Sequence, residues 1–266
     1  RRSSDLNLLA TNQRYTIKSR IGCVVYMERK IDKRTIGSTV VDVLKTIGFI
    51  IWSTLPLMLT MSAIGLQKYT PIYLQWGISL ILIAFILFSI RWLWRYYRKH
   101  TAYFLQKLRL KDIAIAVGLF IFLRGIAIGG TLLNTYVTGN EMTSNDAALQ
   151  ASDPLAIFPM YFIVFNLVIG LVAPILEELA FRGIFIDTWF NAHKKWLPAV
   201  ITSSIFALAH GFDNFITFSM YFIMGLTFFF AYYRRHNIKD SILLHMLNNI
   251  LMMIVSFVSY AMLYFN

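Results

Sequence analysis

Apolar runs about as long as a lipid bilayer is thick recur along this chain, and no other feature constrains its fold as strongly. A membrane-crossing helix needs roughly 20 predominantly apolar residues. The sequence predicts such spans at 44–66, 72–92, 112–137, 157–190, 196–211, 214–233 and 240–265. The fourth is longer than one crossing requires, and the fifth, "WLPAVITSSIFALAHG", is short for one. Only 14% of residues are charged and the mean hydropathy is +0.61, whereas soluble domains average about 25% charged residues. Ten-residue units of alternating polarity, the mark of a transmembrane barrel, are not seen. The expected class is all-α: a polytopic membrane bundle of about seven transmembrane helices, with room for an eighth. It divides into a basic cytoplasmic N-terminal segment, 1–43, and a transmembrane domain, 44–266.

The basic residues orient this bundle. Of 25 Lys and Arg, ten lie in 1–45 and seven in 91–111, followed by Lys194, Lys195, Arg234, Arg235 and Lys239. With seven spans these segments all fall on one side. The opposite loop, "TGNEMTSNDAALQASDP", carries Glu141, Asp146 and Asp153 and no basic residue. Positive charge is retained in the cytoplasm, so the expected cell-membrane protein has its N-terminus inside and its C-terminus outside. The net charge of +12 then reflects topology and attraction to anionic lipid head groups, and no nucleic-acid partner is expected. The single Cys23 rules out an internal disulfide and receives no redox or metal role.

Ionisable residues inside the spans are costly, about 2.5–3.5 kcal/mol each at the bilayer centre on insertion scales. They are Arg124, Glu177, Glu178, Arg182, Asp187, His210 and His245. On a helix Glu178 and Arg182 share a face, while Glu177 is turned by about 100°. One carboxylate can therefore be held in an ion pair while the other faces a cavity. The trio could equally be a structural network joining two helices. His210 and His245, with Asn249 one turn beyond His245, add the groups needed to activate water and stabilise an oxyanion. A lone membrane histidine more often serves an interhelical hydrogen bond.

Three short motifs carry a resemblance. "EELAFR" is similar to the EExxxR motif of the CAAX protease and bacteriocin-processing (Abi) family. "FALAH", opening on Phe206, is similar to its FxxxH motif, and "HMLNN" to its HxxxN motif. They occur in the family's order on separate helices, within a core at about 157–265. The resemblance implies an intramembrane endopeptidase similar to type II CAAX prenyl endopeptidases, acting on hydrophobic or lipidated peptides and proteins. It implies Glu177 as the base that activates water, His210 as its partner in binding that water, and His245 with Asn249 as oxyanion stabilisers. Glu178, Arg182 and Phe206 would support the site.

Glu177, His210 and His245 could also form a zinc set, but no HExxH helix is present, and metal-independent water activation with no cofactor is the favoured expectation. A catalytically silent scaffold or regulator of a membrane-protein partner is the alternative. A proton-relay transporter is a weaker one, since no inverted repeat is visible. One expectation conflicts with the others. Glu177 and His210 each lie roughly 16 residues from the turn near Lys194, about 24 Å at helical rise, whereas His245 lies only about 9 Å beyond Lys239.

Overall fold

The computed structural model describes residues 36–101, 103–150, 152–190 and 195–265. Most of the basic N-terminal segment, Cys23, His193 and Lys194 lie outside them. Among the described residues the chain is helical with no strand, as the apolar runs require: in a membrane only a helix satisfies every backbone group within its own segment. The long helices are α1 (Ile36–Leu66), α2 (Ile72–His100), α3 (Leu110–Thr138), and, after the short α4 (Ser144–Leu149), α5 (Pro159–Trp189). A shorter apolar helix, α6 (Trp196–Ala209), precedes α7 (Phe215–Tyr233) and α8 (Ile238–Phe265). Six of these are long and apolar enough to cross a membrane.

The seventh, α6, has 14 residues, about 21 Å at helical rise. It nevertheless traverses most of the bundle. The turn that follows it reaches the far end of α3, where Asn214 Nδ2 donates to Asn134 Oδ1 (2.8 Å) and Ser144 N donates to Asp213 Oδ2 (2.9 Å). Asn214 also caps α7, its Oδ1 accepting from the backbone of Ile216 and Thr217, which satisfies two of the helix's orphan donors. Among the described residues the chain thus passes seven times along the bundle.

Burial separates a core from a lipid-facing jacket. In α5 and α7, 56% of the central window is buried inside the protein, against 11% in α3 and 17% in α2. The core helices approach closely through small residues. A Cβ on Gly225 of α7 would sit 2.9 Å from Ser203 Cβ of α6, and one on Gly170 of α5 would sit 2.8 Å from Met253 Sδ of α8. Small residues at such crossings are what let membrane helices pack by van der Waals contact. α5 is not uniform: it widens into π-helical turns at Val168–Val172 and Leu179–Phe185. Pro174, which cannot donate to the carbonyl four residues back, follows the first of these turns, and π turns often mark functional sites.

At the end where α2 stops and α3 begins, the connecting segment covers the α7–α8 turn. Tyr103 stacks on His236 (centroids 4.4 Å apart, 8° between planes), and Gln106 Nε2 donates to Arg235 O (3.0 Å). Asp112 and Asp240 pair with both Arg234 and Arg235 at 2.6–2.9 Å. The basic segments 91–111 and 234–239 therefore occupy one end of the bundle.

Candidate active site

The two adjacent glutamates of α5 have different surroundings. Glu178 and Arg182 are fully buried, with Arg182 Nη1 2.9 Å from Glu178 Oε1. Arg182 Nη2 also donates to Gly225 O of α7 at 2.9 Å. Its guanidinium lies over the Phe206 ring at 4.8 Å and near those of Phe228 and Phe181. Two hydrogen bonds and aromatic faces replace part of the water lost on burial, while Nε finds no acceptor among the described groups.

Glu178 has a second partner. His245 Nδ1 approaches its Oε1 at 3.0 Å. An ionised carboxylate can only accept, so Nδ1 carries a proton and Nε2 points away from Glu178. That Nε2 lies 3.9 Å from Glu177 Oε2. The ring is clamped by Phe228, stacked at 4.3 Å and 17°, and by Phe206, edge-on at 5.8 Å. Glu177 keeps some exposure, 14% of its side chain, and its Oε2 finds no hydrogen-bond donor among the described protein groups. Each glutamate has one oxygen without a partner among the described groups, but Glu178 is fully buried on an arginine while Glu177 is partly exposed beside the imidazole Nε2.

His210 ends α6. Its Nδ1 lies 2.8 Å from the Phe206 carbonyl one turn earlier; a carbonyl accepts, so Nδ1 again carries a proton. Its ring packs on Phe206 (4.3 Å) and stacks on Tyr221 (4.8 Å, 27°). Phe206, 1% exposed, thus touches His210, His245 and Arg182 together.

His210, His245 and Asn249 line one cavity of about 360 Å³. Its walls include Phe165, Met220, Met224, Met252 and Met253, and its rim includes Glu141, Asn145 and Asp146 of the α3–α5 connection. It extends toward the bundle end opposite the basic segments. Glu177 is not in its lining and joins it through His245.

Two further polar lining residues are Arg124 and Asn248, the latter at a variable position of HMLNN. Arg124 Nη2 donates to Asn248 Oδ1, Asn248 Nδ2 to Asn249 Oδ1 (3.1 Å), and Asn249 Nδ2 to Ile169 O (3.1 Å). Arginine can only donate, so it fixes the direction of the whole chain. Asn249 is left with one amide hydrogen not used by Ile169. The signal for Arg124 was visible, a charge inside an apolar span, but its partner was not.

The conflict in depth resolves. The α7–α8 turn does not sit at the surface: Asn237 is fully buried and His236 is 8% exposed, beneath the segment after α2. His245 starts from a recessed turn, and the short α6 brings His210 to it.

Both histidines present Nε2 with Nδ1 held by an acceptor, an arrangement that also orients metal ligands. Among the described residues, however, no three His, Cys, Asp or Glu side chains form a set able to hold a metal ion. The possible zinc set of Glu177, His210 and His245 is not among such groups.

Comparison with known proteins agrees with the motifs. Residues 159–251 match the family described as type II CAAX prenyl endopeptidase Rce1-like. The membrane-embedded CAAX protease MroQ of Staphylococcus aureus (strain USA300) is 30% identical over 125 residues, 45% of this chain and 48% of MroQ. An uncharacterised 24.3 kDa protein of Escherichia coli is 36% identical over 83 residues, 30% of this chain and 38% of that protein. YdiL of Bacillus subtilis (strain 168) is 30% identical over 139 residues, 52% of this chain and 53% of YdiL. The chain spans about half the length, or less, of the curated relatives it matches. No solved structure matches. Residues 159–251 of this polytopic membrane protein, the stretch that holds all three motifs, are thus similar to the Rce1-like family.

Proposed function

We propose that this protein is an intramembrane endopeptidase that hydrolyses peptide bonds of hydrophobic or lipidated membrane-associated substrates by glutamate-activated water. The observation that carries the reading is the division of labour at the EELAFR motif. Glu178, fully buried, commits its Oε1 to Arg182 and His245, while the partly exposed Glu177 pairs with no Lys or Arg among the described residues and holds its Oε2 3.9 Å from His245 Nε2.

In this reading a water held between Glu177, His245 and His210 gives a proton to Glu177 as its oxygen attacks the scissile carbonyl carbon. The remaining Asn249 N–H supports the oxyanion. His245 adds a donor only in its protonated form, since its neutral Nε2 is an acceptor. Collapse of the intermediate breaks the C–N bond, and Glu177 returns the proton to the leaving nitrogen. The products are a new carboxylate and a new amine, with no cofactor consumed. Methionine and phenylalanine walls suit varied apolar side chains, because thioethers adapt their shape. The bilayer, with anionic head groups facing the basic end, is the other partner. In the same reading the bundle lies in the cell membrane with its N-terminus in the cytoplasm, and the cavity mouth opens on the outer side.

The test is cleavage of a membrane-embedded reporter peptide by the purified chain in proteoliposomes, with products identified by mass spectrometry. Cleavage by wild type and at least ~100-fold less by Glu177→Gln is expected. A folded wild type that cleaves no member of an apolar and lipidated peptide panel, but retains a membrane-protein partner, would assign the fold to a scaffold instead.

A further inference from the structure

We propose that Asn166 is a main-chain anchor for the substrate, its side-chain amide pairing with the backbone N–H and C=O of a peptide residue one or two places from the bond to be cut. This rests on the peptidase reading above. Asn166 lies in α5 just before the π turn Val168–Val172, and it lines the cavity that His210, His245 and Asn249 share. The residue is only 2% exposed. Its Nδ2 donates to Phe162 O one turn earlier (2.9 Å), and among the described residues it makes no other hydrogen bond. A primary amide can donate twice and accept twice, so one amide hydrogen and the whole of Oδ1 are left over. A buried polar group this short of partners is costly, which points to a partner that arrives with the substrate.

The chemistry of that partner follows from what a cut requires. A membrane peptide must leave its helix around the scissile bond, and this frees N–H and C=O groups that need new partners inside the bundle. Phe165, Ile169, Met252 and Met253 of α5 and α8 line the same cavity and offer those groups no polar side chain. A residue in extended conformation presents its N–H and C=O on one edge, the pairing by which a strand joins a sheet. The spare donor and acceptor of Asn166 are the complement of that edge. An anchor of this kind reads the main chain and ignores the side chain, so it admits extended segments of varied apolar sequence.

The position along the peptide comes from the helices. Ile169, three residues beyond Asn166, accepts from Asn249 Nδ2 at 3.1 Å, so Asn166 lies about 4.5 Å from that level at helical rise. Gly170 of α5 meets Met253 of α8, and Phe162 meets Phe257 with ring centroids 5.5 Å apart. The two helices therefore run antiparallel, and Asn166 lies between these contacts on the side where α5 leaves the cavity rim. An extended chain advances about 3.3 Å per residue. With the reacting carbonyl at Asn249, the anchored residue is one or two places away, toward the mouth.

The experiment uses the full chain in proteoliposomes, one apolar reporter peptide of non-repeating sequence, and depsipeptides of it that each carry a single ester in place of a backbone amide. An ester removes one N–H and weakens one carbonyl acceptor while every side chain stays. Cleavage by wild type locates the cut bond by mass spectrometry, and binding to Glu177→Gln is followed by fluorescence anisotropy. An ester one or two residues from the cut, on one side only, is expected to weaken binding roughly tenfold. Asn166→Leu and Asn166→Ala, each combined with Glu177→Gln, should bind the parent peptide roughly tenfold more weakly and no longer distinguish it from that ester. A merely structural Asn166 would instead weaken all the peptides alike and leave the ester penalty in place. Equal affinity for every depsipeptide, or a penalty that persists in both Asn166 variants, overturns the anchor and leaves the peptidase reading standing. A penalty that Asn166→Leu abolishes, in a protein whose wild type cleaves nothing, keeps the anchor and removes the peptidase.

Discussion

Replacing Arg182 by Met tests what holds the site together. The side chain is fully buried, pairs with Glu178 at 2.9 Å, donates to Gly225 O at 2.9 Å and lies over the Phe206 ring at 4.8 Å. Methionine fills much of the same space but leaves the Glu178 carboxylate, itself fully buried, with His245 in place of a permanent counter-charge. Removing one partner of a buried pair costs about 3–5 kcal/mol, because an uncompensated charge stays behind. At about 2–4 °C per kcal/mol for a chain of this size, Tm should fall by about 6–20 °C. The double variant Glu178→Gln with Arg182→Met removes both charges and should be more stable than Arg182→Met alone, with a coupling of at least ~2 kcal/mol across the cycle. Thermal unfolding in one detergent at one scan rate, followed by circular dichroism, measures all four proteins. An Arg182→Met protein within ~2 °C of wild type, or a double variant less stable than the single, would refute the reasoning.

Asn249→Ala should lose ~10²–10³ in turnover as an oxyanion donor is removed, while Asn248→Ala, which frees Asn249 from Arg124, should lose about tenfold; a fully active Asn249→Ala protein removes Asn249 from the site. His236, outside the spans, is held by burial at a pKa of about 4, below its ordinary 6.5. Its unfolded form takes up the proton first as pH falls, so its contribution is complete above pH 6.5 and is lost as pH drops toward 4. His236 adopts φ 49°, which Asn tolerates, so His236→Asn should flatten the decline of Tm between pH 6.5 and 4, and an unchanged slope contradicts the burial account. For topology, a reporter inserted near Arg98 should read cytoplasmic and one fused to the C-terminus external; both on one side would mean that α6 does not carry the chain across.

Much of this architecture was legible because a bilayer makes burial a matter of run length. Each apolar stretch became a helix, and the separate fates of Glu177 and Glu178 follow from 100° of helical rotation. The neighbours that finish the site were not legible. Asn248 looks like a bystander a third of a turn from Asn249, and only the approach of α3 to α8 makes it the link to Arg124. The recessed α7–α8 turn was hidden for a related reason: Arg234, Arg235 and Lys239 read as a surface loop, yet Asp112 and Asp240 pair with both arginines and Gln106 donates to the Arg235 carbonyl at the basic end of the bundle. The π turns on either side of Pro174 pack against α8 and against α1 and α2, partners that no local pattern encodes. Charge signs and helical period are local, whereas the choice of partner is tertiary.

The central claim is that Glu177, without a metal, activates the attacking water. It is tested most directly by single-turnover cleavage of one membrane peptide after exhaustive chelation, comparing wild type with Glu177→Gln. The account predicts that chelated wild type keeps its full rate while Glu177→Gln falls by at least ~100-fold at unchanged Tm. Loss of the wild-type rate on chelation with recovery on adding zinc, or normal turnover by Glu177→Gln, would contradict it.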